Sequence, residues 1–155
     1  MTGLLERLCA LALLAFLSAG ACACKSSSPT EASPPAAPSV NLAGSWRGSA
    51  LDSSGQGSLT AQLTQSGSNV SGTIVTTVAG TSIAGRGTVA GTLTGSTIRM
   101  TIAIPAGGFD APFGSCTASM TGDGEASASS IRVTYSGNNS CAGPVTDGHL
   151  ILSKE

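Results

Sequence analysis

Charge is scarce in this chain. Only 10% of its 155 residues are Asp, Glu, Lys or Arg, and the formal net charge is -1. An average soluble domain carries about 25% charge. No basic block occurs, which excludes a nucleic-acid partner held through a phosphate footprint. Aromatic residues make up 3% and histidine occurs once. Long helices and coiled coils draw on Glu, Lys, Arg and Leu, so the composition argues against both. No C-x-x-C pair signals a dithiol redox site, and no G-x-S-x-G elbow signals a hydrolase nucleophile. What is abundant is glycine, with 21 residues, together with serine and threonine. Without a processed leader, about 115–130 residues would remain, enough for one domain.

The leader is read over residues 1–21. Arg7 is followed by an apolar run from Leu8 to Leu17 and then by Ser18-Ala19-Gly20-Ala21. An apolar run of about 7–15 residues before small residues is the pattern of a secretory signal peptide. A spanning helix needs about 20. Residues 22–40, through KSSSPTEASPPAAPSV, form a Ser/Pro/Ala stretch with no core-forming pattern. Such a composition reads as a disordered tether. The folded domain is expected over residues 41–155.

The end of the leader resembles a bacterial lipoprotein lipobox, in Ala19-Gly20-Ala21-Cys22. Ala19 stands where Leu is usual. The resemblance implies cleavage before Cys22, lipid on that cysteine, and attachment to a membrane in a bacterial cell envelope. Cys24 is a second candidate for the lipid. Position 23 is Ala and not Asp, which resembles outer-membrane sorting. Ordinary secretion, with cleavage after Ala21 or Ala23, is the competing reading.

Cys116 and Cys141 remain in the domain. An exported chain makes a disulfide between them the default. Their midpoint lies between Ala128 and Ser129, in a turn-like segment, so a regular hairpin folded there sets them opposite each other. Closing that loop would stabilise the domain by roughly 3–4 kcal/mol. Two cysteines and the single His149 do not complete a four-ligand metal site, so no metal and no cofactor is expected.

Strict alternation dominates residues 41–155. Leu59, Ala61 and Leu63 alternate with Thr60 and Gln62; Ile98, Met100, Ile102 and Ile104 alternate with Arg99 and Thr101; Ile131, Val133 and Tyr135 alternate with Arg132 and Thr134. Period 2 is the strand signal. Folding the hairpins on their turns sets large side chains against glycine. Leu93 faces Ile98, Gly91 faces Met100, Gly87 faces Ile104, Leu63 faces Gly72, Gly122 faces Tyr135 and Gly124 faces Val133. Small-against-large complementarity suits a narrow barrel interior. The expected fold is therefore all-β, an antiparallel up-and-down barrel of roughly eight strands. A two-sheet sandwich is the alternative. The outward Thr, Ser, Gln and Arg argue against a membrane-spanning barrel.

The opening Gly44-Ser45-Trp46 followed by meandering strands resembles the calycin group of lipocalins and avidins, and the lipocalin-like barrels of small bacterial lipoproteins. The resemblance implies that Trp46 plugs one barrel end under a cation from a late strand, Arg132 or Lys154. One Trp is too few for an avidin-like biotin site.

No acid, base and nucleophile converge in the sequence, so a non-catalytic protein is expected. His149 near Asp147 reads as a surface pair. The loop Pro105–Gly114 holds Phe109 and Phe113, placed to gate a barrel mouth, touch a partner or cap the core. Two functions follow. One is a lipid-anchored binding module for a small apolar ligand, although no polar group to orient it stands out. The other is an envelope interaction protein, or an inhibitor of a secreted hydrolase, that binds protein partners through its loops. A cavity of roughly 300 Å³ or more favours the first. A solid barrel with exposed Phe109 and Phe113 favours the second.

Overall fold

The computed structural model describes residues 37–155. The leader over 1–21, Cys22, Cys24 and the tether up to residue 36 lie outside the described residues. Eight strands follow in order: β1 (Gly44–Asp52), β2 (Gly55–Ser66), β3 (Asn69–Val78), β4 (Ala84–Thr94), β5 (Thr97–Ile104), β6 (Ala118–Ala126), β7 (Ser130–Asn139) and β8 (Gly143–Lys154). Each pairs antiparallel with the next, and β8 returns to β1, closing a barrel. The barrel, and not the sandwich, is the fold. Closure leaves no strand edge free to recruit another chain.

The alternation sorts as the sequence predicts. Leu59, Ala61 and Leu63 are buried while Thr60, Gln62 and Thr64 are exposed. The core runs through Trp46, Leu63, Val70, Leu93, Ile98, Ile131 and Leu152, and among the described residues no polar or charged residue is buried with it. The outer wall is mostly polar, with Leu51, Val75, Val78, Phe113 and Ile151 as its exposed large apolar side chains.

Most of the expected pairings are realised: Leu93 with Ile98 and, against glycine, Gly91 with Met100, Leu63 with Gly72, Gly122 with Tyr135 and Gly124 with Val133. Gly87 differs. The β4–β5 ladder stops at Thr88 and Ala103, so Gly87 and Ile104 are not partners. There β4 turns to the following loop: Arg86 N–H donates to Gly108 O at 2.8 Å, and Asp110 N–H donates to Ala84 O at 2.9 Å. Glycine serves close approach here. A Cβ on Gly124 would sit 2.7 Å from the Val133 Cα and press on the Arg132 carbonyl.

Cys116 and Cys141 form a disulfide, with their Cα atoms 5.6 Å apart. The β6–β7 ladder ends at Ala118 and Asn139, and the bridge continues that register two positions further.

Candidate functional site

The two ends of the barrel differ. At one, Trp46 is completely buried and its indole N–H donates to Leu42 O at 2.8 Å. Leu42 is equally buried, and its own N–H donates to Gln65 Oε1 at 2.7 Å. The Lys154 ammonium lies 5.5 Å from the Trp46 ring centroid and donates to Asn41 O at 3.2 Å. Lys154 is therefore the cation of the plug. Arg132 is not: it is exposed on the outer face, opposite Glu125 and Ile151. The chain enters at this end, where Ser39 N–H donates to Gly95 O and Gln65 Nε2 holds Val40 O.

The opposite end is a mouth. A cavity of about 150 Å³ opens there, walled by Leu59, Ile74, Ile102, Ile104, Met120 and Leu150 and rimmed by Asp52, Gln56, Phe109, Tyr135 and Asn139. Small faces small on one side of β1 there. Gly48 has Leu59 and Leu152 as its two partners, whereas Ala50 has Leu150 on the β8 side and only Gly57 on the β2 side. Space is left towards β2. The volume is below the roughly 300 Å³ of common ligand sites. It matches cavities of about 150 Å³ that accept a single benzene ring.

Tyr135 is the polar anchor of the rim. Its hydroxyl donates to Asp52 Oδ2 at 2.6 Å, and Ser54 N–H donates to Asp52 Oδ1 at 2.7 Å. The ring lies against Gly148, where a Cβ would come within 2.6 Å of it. A β-bulge follows Tyr135 in its ladder with β8, and Asp147 takes a left-handed φ of 52° there. Burial, then the hydrogen bond to Asp52 and its negative charge, push the Tyr135 hydroxyl well above the ordinary value of 10.0.

Phe109 closes the mouth from the side. It bridges to Gly85, and a Cβ on that glycine would lie 2.7 Å from the Phe109 ring. Asp110 fastens the loop to β4. Its carboxylate takes the Ala84 N–H at 3.0 Å and the Arg86 guanidinium at 2.6 Å. The Arg86 hydrogen bond leads in holding its carboxyl below the usual 3.8. Phe113 does not line the cavity and is 42% exposed. The structure thus separates the two phenylalanines that the sequence grouped.

His149 is exposed, opposite Thr134 and Leu51 on the outer wall. Asp123 is paired with Arg99 at 2.9 Å, and Glu125 accepts from Ser96 and Thr97. Among the described residues, no three His, Cys, Asp or Glu gather to hold a metal. Sequence reading missed the Asp52–Tyr135 pair. The available signal was a lone tyrosine on an inward face, whose hydroxyl must find a partner. The partner is 83 residues away, across the barrel closure.

No protein family, no curated protein and no solved structure matches this chain.

Proposed function

We propose that this protein is a non-catalytic binding module, anchored by lipid on Cys22 in a bacterial cell envelope, at the outer membrane. Its barrel mouth holds a small apolar ligand about the size of one ring. The observation that carries the reading is the apolar cavity of about 150 Å³ at the barrel mouth, which falls short of a site for a larger ligand and is sized for a single ring. The Asp52–Tyr135 pair supplies the orienting polar group that a specific site needs. The lipobox-like Ala19–Cys22 supports the anchor, and the polar outer wall suits a barrel standing in water.

Native mass spectrometry of the full-length chain, extracted from membranes of its host, tests this reading. The expected mass carries lipid and the disulfide, plus a reproducible addition that leaves on activation. A chain with no addition, whose mouth resonances do not shift with toluene, overturns ligand binding. An unmodified Cys22 and Cys24 overturn the anchor.

The exposure of Phe113 favours a second reading, an interaction surface for a protein partner. Phe113→Ala would then abolish partner capture while leaving the mouth cavity intact. Unchanged capture counts against it.

A further inference from the structure

Asp52 is the one charged residue that lines the mouth cavity. The three ion pairs among the described residues do not include it. Each of its oxygens takes one hydrogen bond, from Tyr135 or from Ser54 N–H. A carboxylate has about four acceptor positions, so two remain. Arg86, the cation that flanks the loop over the mouth, is already held by Asp110. The rim therefore presents a half-buried negative charge without a countercharge, in a cavity that Tyr135 and Phe109 also line. A carboxylate attracts ammonium groups, and more strongly where water is partly excluded. The same carboxylate repels anions.

We infer that the mouth takes a small aromatic amine, its ring in the apolar cavity and its ammonium on Asp52. This rests on the reading of the cavity as a ligand site. The amine is a cation–carboxylate partner and no covalent step is involved. The free carboxylate positions accept the ammonium protons without breaking the Tyr135 hydrogen bond.

The test uses the full-length protein and three probes of similar shape: phenethylammonium, propylbenzene and 3-phenylpropionate. Affinities are measured at neutral pH by calorimetry and by shifts of the mouth resonances. The expected order is phenethylammonium tightest, by about tenfold over propylbenzene, with 3-phenylpropionate weakest. In Asp52→Asn the preference is lost, and phenethylammonium and propylbenzene bind with equal affinity. If propylbenzene binds as well as phenethylammonium, or 3-phenylpropionate binds best, the amine assignment is overturned and the cavity reading stands. A preference that survives Asp52→Asn also overturns it. If none of the three binds, both readings fail. The wild-type comparison needs no variant, so it decides even where Asp52→Asn does not fold.

Discussion

Tyr135 is the residue on which the mouth turns. It is the single tyrosine of the chain. Its seat needs Gly148 under the ring and Asp52 at the hydroxyl. Because its folded-state value is raised above 10.0, its contribution to stability is complete below pH 10. Above that, the unfolded chain ionises first, and stability falls as pH climbs towards the folded-state value. Spectrophotometric titration reads this directly, since no other tyrosinate contributes. Native protein is expected to show no tyrosinate absorbance near pH 10, and to gain it only well above. Asp52→Asn removes the second and third causes of the shift but not burial, the first. The titration should therefore move down while staying above that of the unfolded chain. Ionisation of the native protein at pH 10 would mean that the hydroxyl is not held as described.

Within the strands, glycine acts by position. Gly124 in β6 and Gly95 in the β4–β5 turn make the contrast. A Cβ at Gly124 meets the backbone of β7, which cannot yield without opening the ladder. At Gly95 a Cβ meets open space, and only the left-handed φ of 60° is unfavourable. Gly95→Ala should cost about 1 kcal/mol, the ordinary left-handed penalty. Gly124→Ala should cost about 3 kcal/mol, as overpacking against an unyielding wall does. Urea unfolding checks both, through midpoints at constant slope. Equal costs would mean that the barrel breathes enough to admit the methyl. The same reasoning explains why alternation and turns in the sequence sufficed to place the rungs. Ile98, Met100 and Ile102 report their face by period alone, and their partners follow from the turn at Gly95-Ser96. Gly87 escaped that logic because the loop after β5 competes for its strand, through Phe109 and Asp110.

For the whole molecule, closure is the decisive contact. β8 pairs with β1 from Trp46–Lys154 to Leu51–His149, joining the two ends of the domain. Removing residues 148–155 would delete most of that strand and leave β1 and β7 with bare edges. Such edges recruit other chains. The truncated protein is expected in the insoluble fraction, and any soluble part should show solvent-exposed emission from Trp46, the one tryptophan. A soluble truncation with buried-Trp emission would show that seven strands suffice. Pairings this distant in sequence also make folding slow, on the millisecond-to-second scale of β-barrels.

Alternation, turn glycines and cysteine spacing are short-range information. They determined the strands, the hairpin rungs, the inward faces and the Cys116–Cys141 bridge, because each depends on neighbours within one hairpin. Which end is sealed and which is open depends on how all eight strands meet, and no hairpin contains that. Lys154 lies over Trp46, and Arg132 does not, because β8 closes on β1 in one particular register. Asp52 meets Tyr135 for the same reason. The cavity opens where Ala50 meets only Gly57 on the β2 side, with Leu150 as its partner on β8.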